Sequence, residues 1–123
     1  MKLKILMDNH TEIDVYYLGE PAVSYWIETE GKVFLFDAAY SDAFLKNAKD
    51  MGIDVTKAEA ILLSHSHNDH TGGLRSFLEL DSRAKVIISS EVCTHRFFSD
   101  RGGELKDIST DHTLLDDYLD RFN

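Results

Sequence analysis

The segment His65-Ser66-His67-Asn68-Asp69-His70, which follows the apolar run Ala60-Ile61-Leu62-Leu63 and precedes Gly72-Gly73, places the strictest demand on the fold of this chain. Three of the six histidines and a carboxylate fall in this one short stretch. Imidazole nitrogens and carboxylate oxygens are good ligands for zinc and similar divalent ions. A short buried strand running straight into the segment anchors its backbone, so that several side chains can converge on one point. His65 and His67 are two apart and can be turned toward one ion, while Asp69 and His70 can serve a second ion nearby. Gly72-Gly73 is expected to let the chain turn sharply after the ligands. The chain must therefore fold so that a strand end and its following loop are held firmly.

The rest of the sequence offers elements to do so. Leu3 to Met7 alternates and reads as a first strand. Ala22 to Thr29 reads as a second, with Val23, Tyr25 and Ile27 on one face and Trp26 on the other. Glu30-Gly31-Lys32 is a hairpin turn into Val33-Phe34-Leu35-Phe36, a run apolar on both faces, as in a buried strand. Asp42 is placed to cap a helix to about Met51, with Phe44, Leu45 and Ala48 inward and Gly52 as its stop. Leu74, Phe77 and Leu78 suggest a further helix, and Val86-Ile87-Ile88 a further strand. Ser90 would cap a helix through Phe97, and Arg101-Gly102-Gly103 reads as a loop. The tail from Leu114 to Phe122 has helical spacing. Strands first, then alternating strand and helix, indicate an α/β or α+β layered domain, a mixed sheet with helices on one face.

At 123 residues the chain fits one domain, 1–123, and is large enough to bury a core. No apolar run is long enough to span a bilayer, and the N-terminus lacks the pattern of a secretory signal. One cysteine, Cys93, permits no intrachain disulfide, which suits the cytoplasm. A formal net charge of −9 argues against nucleic acid as a partner, though not against a small anionic substrate at a cationic metal site.

The segment His65-x-His67-x-Asp69-His70-Thr71-Gly72-Gly73 resembles the signature of the metallo-β-lactamase superfamily. Asp8-Asn9, Tyr17-Leu18-Gly19-Glu20-Pro21, the run ending at Phe36-Asp37, and Tyr40-Ser41-Asp42 resemble the branch of dihydropteroate-type, ribofuranosylaminobenzene-phosphate synthases. The resemblance runs from Leu3 to about Ser90. It implies a half sandwich of the superfamily's fold and a metal-dependent hydrolase acting on a small-molecule substrate. It implies that His65 and His67 bind a first metal, that Asp69 and His70 bind a second, and that Asp37 orients the histidine loop from behind. One or two divalent ions are implied, zinc first, with manganese or iron as alternatives. A metal-activated water would attack an ester, amide or phosphoester bond, with Asp69 able to hold or accept a proton.

Two departures stand out. Ala38-Ala39 follows Asp37 where the family usually has Thr-Gly. The second half that in full members supplies a third histidine, a bridging aspartate and a last histidine has no counterpart after His70. A homodimer or a complementary second-half chain is one expectation, because half a sandwich exposes an apolar sheet face. A metal-binding or assembly module without catalysis is the other. His10, His95 and His112 are the histidines outside the motif. His10 reads first as a surface loop residue and second as a substrate contact near the metal; His95 and His112 read first as helix residues and second as completing ligands. Cys93 reads as a small buried apolar residue.

Overall fold

A computed structural model describes residues 1–11, 16–80, 82–90 and 96–123. The proposed helix from Ser90, with Cys93 and His95, falls largely on residues 91–95 and lies outside the described residues.

Five strands form one mixed sheet: β1 (Lys2–Met7), β2 (Ser24–Thr29), β3 (Lys32–Phe36), β4 (Ala60–Leu62) and β5 (Lys85–Ile87), in that spatial order. β1, β2 and β3 pair antiparallel, and β3, β4 and β5 pair parallel. The β2–β3 turn is the two-residue Glu30-Gly31, both at positive φ (52° and 75°), the conformation that matches the twist of the flanking strands. The parallel strands need crossovers. Helix α1 (Ala43–Asp50) lies between β3 and β4, and α2 (Asn68–Thr71) and α3 (Leu74–Leu78) lie between β4 and β5.

Register separates the two sheet faces. Trp26, Leu35, Ile61 and Val86 are aligned across β2 to β5, and all are buried. They form a single core with Phe44 and Ala48 of α1 and Leu74, Phe77 and Leu78 of α3. The α1 face differs from the expected one, because Asn47 rather than Leu45 is fully buried. Its amide donates to the carbonyls of Leu6 and Leu18, both at 2.8 Å, and accepts from the Leu18 N–H at 2.9 Å. A polar group is thus buried with its hydrogen bonds made, tying α1 to the end of β1. Asp42 makes no side-chain cap; the Ser41 hydroxyl accepts from the Ala43 N–H instead.

The opposite face carries Leu3, Ile27 and Phe34 in one row and Ile5, Tyr25, Phe36, Leu62 and Ile87 in the next. Leu3 is 53% exposed, Ile5 47% and Ile87 40%. β3, expected to be buried on both faces, is therefore fully buried only at Leu35.

Two elements differ from the reading of the C-terminal third. Arg101-Gly102-Gly103 belongs to a hairpin, β6 (Phe98–Arg101) and β7 (Glu104–Asp107), with Gly102 and Gly103 at φ 67° and 94°. The tail is a short helix, α4 (Thr113–Tyr118), followed by a 3₁₀ turn rather than one continuous helix. It buries Leu114 in the helix-side core and ends beside β5, where Phe122 bridges Val86 and Asn123 N–H bonds the Val86 carbonyl. Among the described residues no helix is long and apolar enough to cross a membrane.

Candidate metal centre

The histidine segment leaves the carboxyl end of β4, a central parallel strand, and Asp37 leaves the carboxyl end of the neighbouring β3. Sites in sheets with parallel strands gather at such ends, because the chain there is fixed on one side and free on the other. Asp37 is 1% exposed and adopts φ 60°, a conformation that aspartate tolerates better than most residues. Its carboxylate accepts three hydrogen bonds: from the Ser64 N–H at 2.7 Å, from the Ser64 hydroxyl at 2.8 Å, and from His70 Nδ1 at 2.7 Å.

These bonds fix the proton positions. A carboxylate only accepts, so His70 Nδ1 carries the hydrogen, and the neutral tautomer that this bond selects presents Nε2 as a lone pair. The Ser64 hydroxyl spends its one proton on Asp37. Its contact with His65 Nδ1 at 2.8 Å must then be donated by the ring, which leaves His65 Nε2 as a lone pair as well. Ser64 was not singled out from the sequence, although its position between the strand and the first histidine is the available signal.

His65, Asp69 and His70 each bring a ligand atom within 4.8 Å of the others. Asp69 Oδ2 faces His70 Nε2 at 3.5 Å. In the Nδ1-protonated neutral tautomer this contact sets two acceptors face to face, an arrangement that a cation between them satisfies. The His65 and His70 rings stand 4.2 Å apart and the His65 and His67 rings 4.6 Å apart. His65 is held below the ordinary imidazole range, first by partial desolvation and then by repulsion from His70 and His67, against a smaller pull from Asp37 and Asp69. The neutral ring is the form that binds a metal. The donor set, with tautomers already fixed, fits a divalent ion.

The geometry groups His65 with Asp69 and His70, whereas the sequence suggested pairing His65 with His67. His67 lies beside that group, its ring edge-on to Phe97 at 4.9 Å. His10 stands apart, lining a small hollow with Tyr17 and Asn47 that none of the metal-loop residues borders. His112 starts α4; its Nε2 is buried without a hydrogen-bond partner among the described residues, outside the His65–Asp69–His70 group.

The loop is held from two sides. Its Gly72 and Gly73 N–H groups bond the Ala39 and Ala38 carbonyls at 2.8 and 2.9 Å, and the Ala38 N–H bonds the His70 carbonyl at 2.7 Å. The glycines do not serve a sharp turn, since both have ordinary negative φ. They permit close approach: a Cβ on Gly72 would strike the Tyr40 carbonyl, and one on Gly73 the Ser41 carbonyl and the Phe44 ring. Ala39 sits at φ 54°, so the Ala-Ala step keeps the docking surface at a strain of about 1–2 kcal/mol. On the other side, the segment after β7 pairs with the loop: Asn68 N–H bonds the Ile108 carbonyl at 2.8 Å, and Thr110 N–H bonds the Ser66 carbonyl at 2.9 Å. The buried hydroxyls of Thr71 and Thr110 meet at 2.9 Å.

Comparison with known proteins agrees with this geometry. Residues 18–120 match the family model of the metallo-beta-lactamase superfamily. A 7,8-dihydropterin-6-methyl-4-(beta-D-ribofuranosyl)-aminobenzene-5'-phosphate synthase from Methanocaldococcus jannaschii is 34% identical over 79 residues, 60% of this chain and 27% of the relative. A UPF0173 metal-dependent hydrolase from Shouchella clausii is 34% identical over 84 residues, 68% of this chain and 34% of the relative. The solved structure of a metal-dependent hydrolase of the beta-lactamase superfamily superposes with a TM-score of 0.70 at 27% identity, covering 98% of this chain and 40% of that one. The chain thus spans about a third of the curated relatives it matches. A strand-end histidine loop tied to a buried aspartate, on a mixed sheet covered by helices on one side, and the match over most of the chain together place this protein in the metallo-β-lactamase superfamily.

Proposed function

We propose that the chain carries the metal-binding half of a metal-dependent hydrolase, acting on an ester, amide or phosphoester of a small substrate. The observation that carries this reading is the pair of tautomers selected by Ser64 and Asp37, which leave Nε2 of His65 and of His70 unprotonated in a group whose ligand atoms lie within 4.8 Å of those of Asp69. His65, Asp69 and His70 would hold the ion, and His67 would contribute from the same loop. Zinc suits the nitrogen and oxygen donors; manganese and iron suit them too. A bound divalent ion supplies Lewis acidity and an activated water at neutral pH. Asp69 would take up a proton, while Asp37 and Ser64 hold the rings.

The relatives named as metal-dependent hydrolases support the reaction class, and the relative named as a phosphate synthase leaves a transferase within reach. The half-exposed apolar sheet face supports a second layer packed on it, and we infer that a second copy of the chain supplies this layer.

The test is elemental analysis of the purified protein combined with hydrolysis of activated esters and phosphodiesters. One or two ions per chain with turnover is expected, and His67→Ala should weaken metal binding while leaving the fold intact. Stoichiometric metal without turnover would favour a binding or assembly module, and absence of metal under zinc-replete conditions would sink the hydrolase reading.

A further inference from the structure

We propose that the β6–β7 hairpin builds a phosphoryl-binding subsite beside the metal loop, so that the substrate carries a phosphate group; this rests on the hydrolase reading of the site. The hairpin borders a cavity of about 400 Å³ whose wall includes His67, Asn68 and Asp69 from the loop and Arg101 and Lys106 from the two strands. Strand register explains why both cations face it. Ser99 pairs with Lys106 and Arg101 with Glu104, so these four side chains share one face. Phe98, Asp100, Leu105 and Asp107 point the other way.

The acidic residues of that outer face are already engaged. The Asp100 carboxylate accepts from the Gly103 N–H at 2.9 Å within the turn, and Asp107 pairs with Arg96 at 3.1 Å. Arg101 and Lys106 make no ion pair among the described residues, although Glu104 sits across from Arg101. On a chain of net charge −9, two uncommitted cations gathered beside candidate metal ligands are an anion site rather than a solvated face. The same net charge disfavours a long polyanion, which leaves a small phosphorylated molecule.

Chemistry narrows the anion. A phosphate monoester carries roughly −1.5 to −2 charge and three acceptor oxygens. Arg101 can grip two oxygens in parallel, and Lys106 and the Asn68 amide are placed to reach others. A carboxylate would leave part of this donor set unused. The backbone pairing of residues 108 and 110 to the metal loop keeps the hairpin in register with the ligands, so an anchored phosphate would hold the rest of the substrate at a set distance from the ion.

The experiment is calorimetric titration of inorganic phosphate into the zinc-loaded and the metal-free protein, for wild type and for the double variant Arg101→Ala/Lys106→Ala. Both side chains are exposed, and circular dichroism checks that the variant folds. Phosphate affinity is expected to fall about tenfold or more in the variant, the size of a lost charge-assisted contact, with zinc content unchanged. The single charge reversal Lys106→Glu should weaken it similarly. Phosphate bound equally by wild type and double variant, no binding by wild type in either form, or acetate bound as tightly as phosphate would each overturn the proposal. A protein that binds no zinc but keeps the wild-type–variant difference in its metal-free form would fail the hydrolase reading and retain the subsite.

Discussion

Single residues decide whether the loop can present its ligands. Ser64 uses its hydroxyl twice, donating to Asp37 and accepting from His65, so it sets one tautomer directly and braces the carboxylate that sets the other. Ser64→Ala should lower zinc affinity about tenfold, the lower end of what outer partners of metal ligands contribute, as read by competition with a chelator. Ser64→Thr keeps the hydroxyl and should restore most of it. If Ser64→Ala binds zinc like wild type, the proton assignment is wrong. Gly73 acts through space rather than chemistry. Gly73→Ala forces a methyl into the Ser41 carbonyl and the Phe44 ring and should cost about 1–3 kcal/mol in urea unfolding, with the metal loop displaced. A variant as stable as wild type would show that the α1 end can retreat.

At the scale of elements, α4 is clasped to α3 by one arginine. Arg75 donates to Asp111 at 3.0 Å, to Asp117 at 2.8 Å and to the Thr113 hydroxyl. The Asp111 carboxyl is held below the usual carboxylate range, chiefly by the Thr113 hydroxyl at 2.6 Å, against partial burial and with help from the Thr113 N–H and Arg75. Because folding lowers its pKa, it stabilises the fold above the ordinary carboxylate range, and this is lost as pH falls through the lowered value. Solvent screening at this half-exposed site keeps the Arg75 pairing to about 0.2–1 kcal/mol. Amide protection in α4 is therefore expected to decline below about pH 4, and Asp111→Asn to flatten that decline. A profile identical in the variant would remove Asp111 from the account. The β6–β7 hairpin belongs to the same scale: Phe98-Ser99-Asp100-Arg101 and Glu104-Leu105-Lys106-Asp107 flank a Gly-Gly pair, a hairpin signal that is easily taken for a bare loop when strand faces are so polar.

For the whole molecule, the unequal sheet faces are decisive. One is sealed by α1, α3 and the tail; the other leaves Leu3, Ile5 and Ile87 substantially exposed. The tail, which could have covered that second face, instead joins the helix side and the β5 edge. Light scattering should give the mass of a dimer, and Ile5→Lys should weaken association at least about tenfold by placing a charge in the contact. A monomeric wild type would remove the second-copy proposal while leaving the metal centre unaffected.

Most of the layered framework, and the residue types gathered at the candidate site, can be read directly from the amino-acid order. Ligand types are written in the residues themselves, and the alternation of Tyr25 and Ile27 against Trp26 is a local consequence of strand geometry. Asp37 behind the loop was legible through the family resemblance, not through spacing. Three-dimensional packing was needed to show that His65, Asp69 and His70 gather, why Gly72 and Gly73 must lack side chains, that Asn47 and not Leu45 is fully buried on α1, and that Arg101 and Lys106 stand beside the histidine loop. Each of these depends on contacts between segments far apart in the chain. Local periodicity carries no record of such contacts, because they exist only once strands β3 and β4 lie side by side and residues 108 and 110 are stitched to the histidine loop.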